Sequence, residues 1–196
     1  MFKSCGGKDL LLLFLYAPGA TDQKNEPIYG RTKLTKMVFL FEKELKKDFF
    51  NNVDASIFEF TPYLFGPYSR QLLADLDFLV TMGFVEKSDT SIPIANAEKA
   101  EDSLTEREDI WEDIWGEIEK KSDERIDAFE QKYTLTEKGI RYVETRLWNS
   151  LGEYQVSTLC RFKTQISRIT LDDLLRYVYN KYPEYTENST IKDKYL

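Results

Sequence analysis

The 196-residue sequence has no histidine and only two cysteines, and both shortages restrict its chemistry. Histidine is the usual general base and the commonest transition-metal ligand, so its absence removes the Ser-His-Asp and Cys-His catalytic arrangements. The two thiols, Cys5 and Cys160, cannot complete a four-ligand zinc site. The sequence also has no Gly-rich phosphate loop and no calcium-binding loop. We therefore expect no catalytic, cofactor-binding or metal-binding residues, and a protein that is not an enzyme.

Long hydrophobic runs are scarce as well. The run at residues 10–16 has seven residues, whereas a membrane-spanning helix needs about 20. It follows Asp9 directly, and no convincing signal-peptide cleavage site comes after it. We predict that it lies in a buried first helix, from about Lys8 to Ala17, which Pro18 and Gly19 end. Unpaired cysteines at opposite ends of the chain fit a reducing compartment, so the expected location is cytoplasmic, without a membrane partner.

The sequence does contain helical hydrophobic stripes and short β-type segments. A second helix is predicted from Arg31 to Lys47 and a third from the N-cap Ser69 to Met82. Strands are predicted at residues 57–60, 84–87 and 133–136, and further helices at 136–148, 154–166 and 171–182. On the second helix, the lysines are assigned to the exposed surface: Lys33, Lys36, Lys43, Lys46 and Lys47. This order predicts a mainly α fold with a small β-wing, a winged helix-turn-helix core whose wing pairs residues 84–87 with 133–136.

The predicted organisation divides the chain into four parts. The winged-helix core begins in residues 1–88, an acidic insertion with an amphipathic helix occupies 89–131, the returning wing strand and helix lie in 132–150, and a C-terminal helical extension follows in 151–196. The insertion carries 15 acidic and five basic residues, whereas the whole chain has a net charge of −7. Trp111 and Trp115 lie on its apolar stripe. The stripe packs on the domain or binds another protein; alternatively, the acidic insertion covers a basic surface and blocks nucleic acid.

Three segments resemble a known family. The second-helix sequence at residues 30–40, Gly-Arg-Thr-Lys-Leu-Thr-Lys-Met-Val-Phe-Leu, is similar to the corresponding helix of the Panacea domain. Residues 65–69, Phe-Gly-Pro-Tyr-Ser, resemble the family's aromatic-Gly-Pro-aromatic-Ser turn, and residues 182–189 resemble a family ending. This family includes the SocA-like antitoxins and the YwgA-like proteins of bacteria, archaea and phages. The resemblance implies a non-enzymatic antitoxin or adaptor that binds another protein, such as a toxin or an adaptor client.

The candidate contacts depend on the partner. For a protein partner they are the aromatic and arginine residues typical of interface hot spots: Phe65, Tyr68, Arg70, Trp111 and Trp115. For a transcriptional regulator that binds duplex DNA, as a monomer or homodimer, they are Arg31, Lys33, Lys36, Arg70 and Gln71, with a second basic cluster of Arg161, Lys163 and Arg168. Asp75 and Asp77 on the third helix oppose DNA binding because carboxylates repel phosphate. A hydrolase that uses the carboxylate pair Asp172 and Asp173 is a third alternative.

Overall fold

The computed structural model describes residues 6–50, 56–90 and 130–195. It is mainly helical with a small antiparallel sheet, as the sequence predicts. Helix α2 begins at Arg31 and is α-helical to Leu40. It continues as a π-helical segment, Phe41–Leu45, and ends in an α-helical turn, Lys46–Phe49. The helices are α1 (Gly7–Tyr16), α2 (from Arg31), α3 (Arg70–Thr81), α4 (Glu137–Tyr142, continued by Val143–Leu147 and Trp148–Ser150), α5 (Glu153–Arg168), α6 (Leu171–Lys181), a 3-10 turn at Pro183–Tyr185, and α7 (Lys192–Tyr195).

The strands are β1 (Ile28–Tyr29), β2 (Thr61–Tyr63), β3 (Gly66–Tyr68), β4 (Val85–Thr90) and β5 (Glu130–Leu135). They form two separate units. The first is a three-stranded antiparallel sheet in the order β1-β5-β4, in which β4 pairs with β5 as predicted. The second is a hairpin of β2 and β3.

The predicted strand at residues 57–60 is wrong, because β2 begins at Thr61. The carboxylate of Glu42, on α2, accepts hydrogen bonds from the backbone N–H groups of Ile57, at 2.8 Å, and Phe58, at 3.2 Å. A buried amide needs one acceptor, and here a side chain supplies it in place of a neighbouring strand. The alternation of apolar residues around Glu59 therefore marks an irregular segment that packs against α2.

Helix α1 lies at the centre of the fold. All seven residues from Leu10 to Tyr16 are buried, which confirms the predicted buried first helix. The helix is covered by α3, by β5 and by the π-helical segment Val143–Leu147. No helix in residues 6–50, 56–90 or 130–195 combines the length and apolar character required to cross a membrane.

Helix α2 is buried on more sides than its sequence pattern indicates. Its predicted apolar stripe is buried as expected, but so is every residue from Leu34 to Leu40. The assignment of Lys36 and Lys46 to the exposed surface is wrong, because these residues are only 3% and 6% exposed. Helix α2 packs against β1, β3 and α6. Because these elements enclose it, the hydrocarbon stem of Lys36 lies inside and its ammonium must find an acceptor there.

Three predicted helix starts are confirmed by side-chain caps. The Oγ of Ser69 accepts the N–H of Leu72, and the Oγ1 of Thr136 accepts the N–H of Gly139. At α6, the Oγ1 of Thr170 accepts the N–H of Asp173. Each cap satisfies one of the amides that the first helical turn leaves without a partner. The cap at Ser69 fixes the point where the β2–β3 hairpin joins α3.

Candidate protein-interaction surface

The tip of the β2–β3 hairpin exposes three consecutive large apolar side chains. Tyr63 is 49% exposed, Leu64 41% and Phe65 51%. Single exposed apolar residues are common on protein surfaces, whereas a contiguous group is typical of an interaction site. Tyr68 is half-buried, and its ring centroid lies 4.8 Å from that of Tyr63. Arg70 follows as the exposed first residue of α3, so three of the predicted partner contacts lie on this hairpin or immediately after it.

The backbone of the hairpin tip is fixed by residues 188–190, which we call the C-terminal clamp. The carbonyl oxygen of Leu64 accepts three hydrogen bonds from it: from the N–H of Thr190 at 3.0 Å, and from the hydroxyls of Thr190 and Ser189 at 3.1 Å each. Asn188 donates its Nδ2–H to the carbonyl of Pro62 at 3.4 Å. A loop that is already ordered loses less conformational entropy on binding. The clamp therefore restrains the backbone of the exposed tip.

The inner side of the hairpin rests on α2 and α6. Lys36 donates from its Nζ to the carbonyl of Pro67 at 2.8 Å, and burial lowers the pKa of this lysine to about 7. Gly66 has a φ of +79°, and a Cβ at this position would lie 2.9 Å from a ring carbon of Tyr179. The hydroxyls of Tyr179 and Ser189 share a hydrogen bond of 2.6 Å. The hairpin is thus supported from inside the fold and from the C-terminal clamp.

The candidate DNA contacts do not form a basic surface. Lys33 donates from its Nζ to the carbonyl of Ile169 at 2.6 Å, and Lys36 is buried. The guanidinium of Arg31 lies 3.0 Å from the carboxylate of Asp77 on α3. Gln71 donates to Asp75 at 2.9 Å. Four of the five predicted side chains therefore bind other parts of this chain, and a sequence pattern cannot show where their polar ends point.

In the second candidate basic cluster, the placement of Lys163 on the surface is wrong, because this residue lies inside the fold with 0% exposure. Its Nζ donates to the carbonyl oxygens of Leu15 at 3.1 Å, Ala17 at 2.6 Å and Glu26 at 2.8 Å. Burial lowers the pKa of Lys163 to about 7, opposed by the Glu26 carboxylate. The sequence could have indicated this burial, since Lys163 lies next to Phe162 on the apolar stripe of α5. The lysine joins the end of α1 to α5.

The carboxylates of Asp172 and Asp173 are engaged in structural contacts. Burial raises the pKa of Asp172, but hydrogen bonds from Lys194 at 2.6 Å and Tyr195 at 2.7 Å outweigh it and hold that pKa below its usual value. Asp173 accepts the hydroxyl of Thr170 at the start of α6. Within the described ranges, no group of three or more metal-ligating side chains comes together. Asp172 therefore ties α6 to α7, and Asp173 supports the Thr170 cap at the start of α6.

Trp111 and Trp115, the other two predicted partner contacts, lie outside the described residues. Comparisons of the chain with known protein families, curated proteins and solved structures found no match. The hairpin tip combines exposed apolar side chains with a backbone held by hydrogen bonds. A preformed protein-binding surface requires both features.

Proposed function

We propose that this chain is a non-enzymatic protein-interaction module whose β2–β3 hairpin inserts its tip into an apolar groove of a partner protein. The observation that carries this function is the exposure of Tyr63, Leu64 and Phe65 on a clamped backbone. At many interfaces a few fully desolvated residues contribute most of the binding free energy, and large aromatic side chains are frequent among them. Fixed backbone geometry adds to affinity because less of the loop has to be ordered.

The order of elements supports a winged-helix fold for this module. Helices α1, α2 and α3 precede the paired strands β4 and β5, and β1 joins the same sheet between α1 and α2. Together with the motif resemblances, this order supports an antitoxin or adaptor of the SocA-like or YwgA-like kind, acting in the cytoplasm on a toxin or a client protein. In this assignment the Phe-Gly-Pro-Tyr-Ser turn contributes to the partner surface as well as to the core.

A DNA-binding regulator is the main rival function. Affinity for duplex DNA depends on lysine and arginine side chains that neutralise phosphates. Here Lys36 is buried and Arg31 is paired with Asp77. Arg70 and Gln71 are exposed at the start of α3, but Asp77, Phe78 and the C-cap residue Met82 are exposed along the rest of it. A recognition helix with this outward face would place a carboxylate and apolar side chains against the groove. The geometry favours a protein partner.

A pull-down of the tagged full chain from its native cell tests the proposal. The samples are wild type, Phe65→Ser and, as a matched control, Tyr154→Ser, since Tyr154 is 60% exposed on α5. Each is analysed by mass spectrometry with and without nuclease. We expect one protein to stay bound to wild type and control after nuclease, and to fall about tenfold or more with Phe65→Ser. Retention by Phe65→Ser at the wild-type level would rule out the hairpin. Loss of all proteins on nuclease treatment would favour the DNA regulator.

A further inference from the structure

A small cavity lies between the π-helical segment of α2 and the irregular segment at residues 56–60. Its volume is about 230 Å³, which is the space of about seven or eight water molecules. The π-helical segment contributes Glu42 and Lys43 to the lining. π-helical turns are rare and frequently occur at functional sites. The function proposed for the hairpin leaves this cavity without a role.

The cavity has an aromatic wall. Phe58 is buried, Phe60 and Tyr185 are half-buried, and all three line the cavity. The rings of Phe60 and Tyr185 pack edge-on against that of Phe39, with centroids 5.1 and 4.9 Å from it. These contacts fix the wall in place before a ligand arrives. A preformed apolar wall favours a ligand with an apolar side chain.

Lys43 contributes a positive charge to the lining. Its Nζ donates to the hydroxyl of Tyr185 at 2.7 Å and lies 4.7 Å from the centroid of the same ring. Because an ammonium has three N–H donors, it can bind a further group. No carboxylate of residues 6–50, 56–90 and 130–195 forms a salt bridge with Lys43. Its position and charge therefore suit a carboxylate of a ligand.

Glu59 contributes a negative charge to the same lining. It is exposed, and it forms no salt bridge with Lys43 or with any other cation in the part of the chain that the structure describes. The hydroxyl of Ser56 lies in the lining as a second acceptor. These two side chains suit an ammonium group of a ligand.

The two carboxylates that flank Lys43 on α2 already have cationic partners. Glu42 lies 3.7 Å from the Nζ of Lys46 and accepts two backbone N–H groups. Glu44 lies 3.2 Å from the Nζ of Lys181. These ion pairs balance their own charges, so the cavity presents Lys43 and Glu59 to a ligand as charges of opposite sign.

We propose that this cavity binds a small apolar α-amino acid in its zwitterionic form. The carboxylate of the ligand binds Lys43, its ammonium binds Glu59, and its side chain packs against Phe58 and Phe60. A carboxylic acid or an amine alone leaves one of the two charged groups without a partner, whereas a zwitterion satisfies both. The cavity volume suits a side chain of about the size of leucine. This inference goes beyond the hairpin function and does not depend on it.

Calorimetric titration of the full chain tests the ligand class. The ligands are L-leucine, isocaproate, which lacks only the ammonium, and isopentylamine, which lacks only the carboxylate. We expect the Kd of L-leucine to be at least about tenfold lower than that of either analogue, because each analogue loses one charged contact. No binding of L-leucine at millimolar concentration would overturn the proposal. An analogue that binds as tightly as L-leucine would also overturn it, since the cavity would then recognise a single charge.

Substitutions of the two charged residues test the place of binding. Lys43→Met should weaken L-leucine at least about tenfold and leave isopentylamine within about twofold of its wild-type Kd, because the amine does not use Lys43. Glu59→Gln should weaken L-leucine as much while isocaproate keeps its Kd. Lys87→Met and Glu86→Gln, at exposed positions of β4, are the matched controls and should bind L-leucine as wild type does. A wild-type Kd for L-leucine in Lys43→Met or Glu59→Gln would overturn the site. Phe65→Ser should also bind L-leucine normally, so failure here is distinguishable from failure of the hairpin function.

Discussion

In the β2–β3 hairpin, Phe65 keeps 51% of its side chain in solvent, whereas in helix α2 the lysine Lys36 is only 3% exposed. The difference comes from how many elements surround each segment. Residues 188–190 bind the backbone of the hairpin tip, but its aromatic side chains project outward. Helix α2 is enclosed by β1, β3 and α6. The chemical type of a residue therefore does not by itself predict whether it is exposed. Apolar side chains stay exposed where no element covers them, and a lysine can be buried where a carbonyl oxygen accepts its hydrogen bond.

The inward lysines give the largest expected effect. Replacement of Lys163 by methionine leaves the carbonyls of Leu15, Ala17 and Glu26 without this donor. We expect the free energy of unfolding to fall by about 3–5 kcal/mol, as for other buried polar groups that lose a partner. Arg161→Met on the exposed side of the same helix should change it by no more than about 0.5 kcal/mol. Urea denaturation measures both, and similar losses in the two variants would contradict the structural role of Lys163.

The hairpin support is tested at Gly66. Gly66→Ala combines a φ of +79° with a Cβ 2.9 Å from Tyr179, whereas Gly83→Ala has a φ of +70° but open space around it. We expect losses of stability of about 2–3 kcal/mol for the first variant and about 1 kcal/mol for the second. Thermal unfolding measures the difference, which isolates the contact with Tyr179 from backbone strain. Equal losses would mean that this contact does not hold the hairpin.

The pH dependence of stability separates Lys36 from exposed lysines. Its pKa in the folded chain is lowered by burial from 10.5 to about 7. Between these values the unfolded chain binds more protons, so the free energy of unfolding rises with pH, by at most about 1.4 kcal/mol per pH unit for each such lysine. Burial also lowers the pKa of Lys163, so this lysine contributes to the same rise in the free energy of unfolding. We expect Lys36→Met to remove about half of the rise between pH 7.5 and 9.5 in denaturation experiments, whereas exposed Lys43→Met preserves it. An unchanged slope in Lys36→Met would contradict burial of the ammonium.

The smallest effect on stability is expected at the hairpin tip. Phe65→Ser removes a side chain that is half exposed, so the free energy of unfolding should change by less than about 0.5 kcal/mol. Phe58, which is 2% exposed, provides the contrast, and Phe58→Ala should cost about 3–5 kcal/mol. Thermal denaturation of the two variants measures this difference. A loss above 1 kcal/mol in Phe65→Ser would assign Phe65 to the core.

Local patterns in the sequence predict much of the fold. The buried run in α1, the caps at Ser69, Thr136 and Thr170, and the pairing of β4 with β5 follow from spacing and residue type. The errors arise where a distant segment supplies a hydrogen-bond partner. The carboxylate of Glu42 accepts backbone hydrogen bonds where a strand was expected at residues 57–60. The carbonyl of Pro67 accepts a hydrogen bond from Lys36, 31 residues away. Such contacts depend on packing between elements, which periodicity does not encode.

The candidate surface was predictable in part. The Phe-Gly-Pro-Tyr-Ser motif identifies Phe65 and Tyr68, and the predicted third helix identifies Arg70. The structure places these residues on the hairpin or at the start of α3. The motif does not indicate that Tyr63 and Leu64 are exposed beside Phe65. It also does not indicate that Thr190 donates to Leu64 from 126 residues along the chain.

The most direct measurement is the affinity of the purified partner for Phe65→Ser and for Tyr154→Ser, determined by calorimetry against the wild-type chain. We predict that Kd rises at least about tenfold for Phe65→Ser and stays within about twofold for Tyr154→Ser. Only the first variant lacks the aromatic side chain that we propose binds the partner. A Kd within twofold of wild type for Phe65→Ser would contradict the assignment of the hairpin tip as the partner contact.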